Sequence, residues 1–200
     1  MKEILKLGII LFLFCAIGSG VLAFVNKMTK DKIAENKKKT EADARKEVLP
    51  NVTFDGPFTA DAGKPDSLQY FIGKDQKGAI VGYTFIASGR GYSSTVRTMV
   101  AADQAFQILK IKVIDQNETP GLGANSSKDN FPPRFEKMGI SDLVVDKDGG
   151  KIKSITGSTI TTRAITKSIR NALTVLKGAV ETTPKQVAPT EKLVASGGSL

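Results

Sequence analysis

Hydrophobic and polar positions change their period several times along the chain, and each change predicts a different element. Residues 7–25 carry no charge and are rich in Leu, Ile and Phe. At about 1.5 Å per residue, such a run as a helix matches the ~30 Å hydrocarbon core of a bilayer. It outlasts the roughly 7–15 apolar residues of a cleaved signal peptide, so residues 1–26 are expected to be an uncleaved anchor. Residues 27–50 are charged and helix-prone, with Met28, Ile33, Ala34, Ala44, Val48 and Leu49 as a sparse apolar set. They predict a helical stalk ended by Pro50 and by Asp55-Gly56-Pro57.

From Leu68 to Asp115 the pattern becomes strand-like. Leu68–Ile72 and Ala79–Ile86 flank the turn-forming residues 73–78, and Thr95–Ala101 and Ile108–Ile114 continue the series. In the last of these, Leu109, Ile111 and Val113 alternate against Ile108, Lys110 and Lys112, which predicts a meander of antiparallel strands with one buried face. Asn130 to Met138 predicts a short helix around Phe131 and Phe135. Residues 143–145 and 152–154 predict a final pair of strands about Asp148-Gly149-Gly150. Ile165, Ile169, Ala172, Leu173 and Leu176 then recur at spacings of three and four, the mark of an amphipathic helix running to about Lys177 and stopped by Gly178. The expected architecture is therefore α+β: a transmembrane helix, then one domain over 51–178 with a mostly antiparallel sheet packed against helices. Residues 179–200, rich in Pro, Thr and Ser, are expected to be a disordered tail.

Composition narrows the chemistry. The 200 residues allow one ordinary domain and an appendage, and the formal charge is +9. The lysines are dispersed, with no aromatic-interleaved stripe and no recognisable nucleic-acid module, so no nucleic-acid partner is expected. There is no histidine, which excludes His-based triads and His-containing metal sites. Cys15 is the only cysteine and lies in the apolar run, so neither an internal disulfide nor an iron–sulfur cluster is available. Any redox chemistry must come from a bound organic cofactor.

Three segments carry candidate chemistry. Thr156-Gly157-Ser158-Thr159 opens the amphipathic helix, with Arg163 one turn further on. Hydroxyls at that place serve either as ordinary helix caps or as the attachment point of a phosphate-linked group on a partly positive helix end. Gly89 to Ser94 lies between two strands, and Asn117 to Gly123 follows the last one. Their glycines suit either plain turns or a close approach of backbone to a flat ligand.

In this order behind one apolar anchor, Gly91-Tyr92-Ser93 with Thr95–Asp103, Glu118-Thr119-Pro120-Gly121-Leu122-Gly123, and Thr156-Gly157-Ser158-Thr159 resemble the RnfG family of Rnf ion-translocating electron-transport complexes. They also resemble the related NqrC of the sodium-pumping quinone reductase. The resemblance covers most of the chain from the anchor to about Lys177. It implies an FMN-binding domain, with FMN joined through its phosphate to the hydroxyl of Thr159 by a separate flavin transferase. It further implies that Glu118, Thr119, Gly121, Leu122 and Gly123 line the isoalloxazine, with Gly91 and Tyr92 near it. Arg163, one helical turn past Thr159, is placed to reach the same phosphate oxygens. The expected role is a covalent flavoprotein carrying electrons one at a time within an ion-translocating ferredoxin:NAD oxidoreductase. Its partners would be the lipid bilayer and the other membrane and peripheral Rnf subunits. It would have no independent substrate turnover, and its domain would lie on the extracytoplasmic side. A literal count of Lys2 and Lys6 against Lys27, Lys30 and Lys32 points to the opposite orientation.

The chain departs from the family pattern at four places. Ser94 replaces a frequent glycine, Ala124 stands where an acidic residue is common, Lys153 where an aspartate often precedes the last motif, and Ser158 where alanine is usual. Two other readings compete with electron transfer. One is a docking or scaffold role with loosely bound FMN or none. The other is a hydrolase using Thr159 or Ser158, which would need a lysine or an acid as base because histidine is lacking.

Overall fold

The computed structural model describes residues 2–61 and 67–182, and the expected disordered tail lies outside these from residue 183 onward. The chain divides into two compact units, residues 1–42 and 43–200. Helix α1 runs over Lys2–Val48. Its N-terminal half is long and apolar enough to cross a membrane, and its Ile, Leu and Phe side chains are exposed. The expected anchor from Lys2 onward and the expected stalk as far as Val48 lie on this one helix, and Leu49 and Pro50 follow its end.

The second unit is built on a five-stranded antiparallel meander: β1 (Thr53–Ala60), β2 (Leu68–Lys74), β3 (Ile80–Arg90), β4 (Thr95–Ala102) and β5 (Ile108–Asp115), paired in sequence order. Helix α2, Thr159–Thr182, packs across one face, chiefly on β3. Ile165, Ile169, Leu173 and Leu176 share a core with Phe85, Val96, Val100 and Ile111, and Phe131 and Phe135 belong to it too. Gly89 lets the helix approach, since a Cβ there would run into the Ala164 carbonyl. In a second cluster, Ala44, Val48 and Leu49 at the end of α1 pack with Met99 and Ala101 of β4. Both faces of the second half of β4 are therefore buried, which is why residues 99–102 are a continuous apolar run.

Five expectations need correction. β1 has its place at the sheet edge, where Gly56-Pro57 sits in a register shift between Asp55 and Phe58; an edge position tolerates a proline that otherwise signals a break. In β5 a second register shift, between Ala101 and Ala102 of its partner strand, changes the phase of the alternation. Ile108 and Ile111 are consequently buried and Leu109 is exposed. Residues 143–154 do not form a pair of strands. Two short 3-10 turns, Ile140–Asp142 and Asp146–Asp148, accompany a single parallel bridge between Val145 and Ile152. Helix α2 continues past Gly178 because Ala179 and Val180 still pack against the core. The short helix expected at 130–138 is a 3-10 turn over Pro132–Phe135.

Candidate cofactor-binding site

Three connections converge beside the start of α2. The β3–β4 hairpin closes with the Gly91 N–H donating to the Ser94 carbonyl at 2.8 Å. After β5, the Leu122 N–H donates to the Thr119 carbonyl at 3.1 Å, and Gly121 supplies the positive φ of +80° that this turn requires. Gly157, also at positive φ (+74°), turns the chain into α2 so closely against Leu122 that a Cβ would stand 2.9 Å from Leu122 Cδ2.

Glu118 ties these pieces together. It is 6% exposed, and its carboxylate gathers donors from two other segments. Oε1 accepts from the N–H groups of Ser93 (2.9 Å) and Ser94 (2.8 Å) and from Ser94 Oγ (3.1 Å). Oε2 accepts from the Tyr92 N–H (3.2 Å) and from Thr161 Oγ1 (2.7 Å). Ser158 Oγ in turn donates to Thr161 Oγ1 at 2.9 Å. Burial pushes the carboxyl up, but the bonds from Thr161, Ser94 and Ser93 outweigh it and hold Glu118 below the ordinary carboxylate range. The carboxylate also explains two glycines. A Cβ on Gly91 would lie 2.7 Å from Oε1, and one on Gly123 would lie 2.6 Å from Oε2 and 2.8 Å from Thr161 Oγ1. At these positions the glycines make room for Glu118 rather than for a ligand.

Between these segments opens a cleft of about 520 Å³, lined by Tyr92, Glu118, Thr119, Leu122, Gly123, Gly157, Ser158, Thr159 and Ile160. Tyr92, Leu122 and Ile160 are 72%, 43% and 51% exposed, an apolar surface left uncovered on an otherwise well-packed domain. The size suits a ligand of a few hundred daltons. Thr159 is half-buried at the first position of α2, and its hydroxyl is bonded to none of the described residues. The Ser158 hydroxyl is committed to the Glu118 network, and the Thr162 hydroxyl accepts from the Ile155 N–H at 3.1 Å. Among the described residues, none of the 156, 158 and 159 hydroxyls caps a first-turn N–H, so the capping alternative is not how these side chains are used. A flat apolar group carrying a phosphate fits this arrangement: an open apolar wall for the ring, and a free hydroxyl at a helix start for the phosphate.

Eight of the expected site residues line the cleft together: Tyr92, Glu118, Thr119, Leu122, Gly123, Gly157, Ser158 and Thr159. Gly91 lies behind Glu118, and Gly121 and Thr156 are exposed on the adjoining turns without lining it. Arg163 is not brought to the cleft. Its Nε and Nη2 donate to Asp148 Oδ2 and Oδ1 at 2.7 and 2.6 Å, and it lines a separate hollow of about 240 Å³ with Lys167 and Arg170. Ile160, Thr161 and the role of Ser94 were not foreseen from the motifs. The apolar stripe of α2, extended backwards from Ile169 and Ile165 at helical spacing, falls on Thr161 and then Ser158, and that was the available signal.

Two family models match the chain: the FMN-binding domain over residues 91–174, and the RnfG N-terminal region over residues 1–48. The G component of the Na+-translocating ferredoxin:NAD+ oxidoreductase complex of Acetobacterium woodii is 35% identical over 87% of this chain and 92% of its own length. The G component of the ion-translocating oxidoreductase complex of Escherichia coli K12 is 30% identical over 86% of this chain and 90% of its own length. In three dimensions the domain is similar to the C component of the Na+-translocating NADH-quinone reductase from Parabacteroides distasonis. That likeness has a TM-score of 0.57 at 18% identity and covers 76% of this chain and 96% of that one, which supports the fold.

Proposed function

The chain belongs to the RnfG family of ion-translocating oxidoreductase complexes, and from that premise we propose that it is their membrane-anchored flavoprotein electron carrier. The apolar half of α1 associates it with a membrane as a single span, and the FMN-binding domain stands on the extracytoplasmic side. Leu122, Ile160 and Tyr92 would hold the ring of FMN in the cleft, and the Thr159 hydroxyl would carry its phosphate. When bound, FMN would supply the one-electron chemistry.

The protein's own residues do three things for that group. Thr159 Oγ1 provides a permanent attachment point, which matters where a lost cofactor is not replaced. The start of α2 favours the remaining phosphodiester charge by about 0.3–1 kcal/mol. Glu118 fixes the hairpin at 92–94 and the start of α2 to one another, which holds the cleft walls in register. Arg163, committed to Asp148, takes no part. The partners are the other Rnf subunits and, during maturation, a flavin transferase.

The observation that carries the reading is the free Thr159 hydroxyl facing an apolar cleft inside the FMN-binding domain. Intact mass of the full chain co-produced with a flavin transferase tests it. The mass is expected to rise by one FMN less one water and to return to that of the bare polypeptide in Thr159→Ala. A Thr159→Ala protein that keeps covalent flavin would overturn it.

A further inference from the structure

Glu118 is a poor choice for a wall that only needs to be polar. It is nearly inaccessible, yet it lines the same cleft as Thr159. Its partners are all neutral: three backbone N–H groups and two hydroxyls, with no Lys or Arg bonded to it among the described residues. Neutral donors stabilise a carboxylate while leaving its full negative charge in place, whereas an ion pair would cancel it. In a partly desolvated cleft that charge is weakly screened. Two residues where this chain departs from its family pattern, Ser94 and Ser158, feed hydroxyls into the same network.

Resting on the cofactor reading above, we propose that the buried Glu118 carboxylate sets the reduction potential of the cleft-bound flavin, holding it low by opposing the added electron, and that Thr161 moderates this effect. Glu118 exchanges neither proton nor electron; reduction adds one electron to the cofactor and oxidation returns it, with the carboxylate unchanged. The Thr161 hydroxyl points its positive end at Oε2 and offsets part of the field.

Potentiometric titration of the full chain, flavinylated in detergent and reduced by dithionite with mediators at about pH 8, tests this, the buffer being set well above the ordinary carboxylate range. Glu118→Gln keeps the shape and removes the charge. It is expected to shift the one-electron reduction equilibrium at least tenfold toward the reduced form, about 59 mV more positive. Glu118→Asp retains the charge and is expected to remain within threefold of the parent. Thr161→Val leaves the charge and removes the dipole, so the equilibrium is expected to move at least twofold the other way, which decides the matter even if Glu118→Gln does not fold. An unchanged potential in Glu118→Gln, or an unchanged or positive shift in Thr161→Val, overturns the proposal while leaving flavin attachment intact. A parent chain without covalent flavin removes both readings, and that result is separately visible as fluorescence lost on a denaturing gel.

Discussion

Two carboxylates flank the start of α2 and are stabilised in opposite ways. Glu118, on the cleft side, is buried and held by N–H and O–H groups drawn from two other segments. Asp148, on the far side, is exposed and meets the fork of Arg163 in two short bonds. By inspection of charges alone the Arg163–Asp148 pair looks the stronger. Burial reverses that ranking. An exposed ion pair gains little over hydration, and measured values are about 0–1 kcal/mol. A buried carboxylate has no water to return to, so each donor it loses is felt in full.

The largest expected effect is therefore at Glu118. Replacing it with Ala removes the shared acceptor of five donors from two segments and leaves several of them without partners. A loss of about 3 kcal/mol or more is expected, since hydrogen bonds to a charged group are worth roughly 1.5–3 kcal/mol each and are not additive. Chemical denaturation of the full chain in detergent measures it, and a loss under about 1 kcal/mol would equate this site with the exposed pair.

Next come the glycines around the carboxylate. Gly123→Ala places a methyl against Oε2, the Glu118 Cβ and Thr161, and about 1–3 kcal/mol of overpacking is expected. Gly121→Ala meets no neighbouring atom but must hold φ near +80°, costing about 1 kcal/mol. Thermal melts of the two variants distinguish a steric requirement from a conformational one.

How much of this was legible in the sequence follows the same division. The existence of strands β2 to β5 and the buried stripe of α2 were readable from local apolar patterning, but the buried face of β5 was not, because the register shift against β4 changes its phase. β1 was not, because Gly56-Pro57 signals a break unless the strand is known to be at an edge. At the site, short motifs named most of the lining. They did not reveal that Gly91 and Gly123 serve Glu118, nor that Thr161 completes its shell, because the bonds that hold the carboxylate join residues 24 to 43 positions apart. Arg163 lies apart from the cleft for the complementary reason. Helical spacing placed it one turn from Thr159, but only the fold supplies Asp148 as its partner.

Acid sharpens the contrast further. The folded-state pKa of Glu118 lies below its ordinary value of 4.5, so its contribution is fully present above that pH and is lost as pH falls through the lower folded value. Asp148, held low by Arg163, acts in the same direction, and so do Asp142 and Asp146. Stability of the wild-type protein should decline from about pH 5 downward, and Glu118→Gln should flatten that slope. The part owed to Glu118 should survive about 1 M NaCl, because a group enclosed by protein donors is poorly screened, while the exposed pairs fade at a Debye length of about 3 Å. A slope abolished by salt in the parent would contradict the assignment.

The smallest effect is expected where the charges are most conspicuous. Asp148→Asn keeps the side-chain shape and leaves Arg163 free in solvent, so the chemical denaturation midpoint should be the same as the parent's. The same variant tests where Arg163 works. If its guanidinium had a share in holding the phosphate on Thr159, releasing it from Asp148 would raise flavin incorporation, and Arg163→Met would lower it. With Arg163 lining a separate hollow, neither change should alter the fraction of chain carrying flavin, as read by intact mass. A fall in that fraction for Arg163→Met, with stability unchanged, would mean that the two sides of the helix start communicate and that the division drawn between them is wrong.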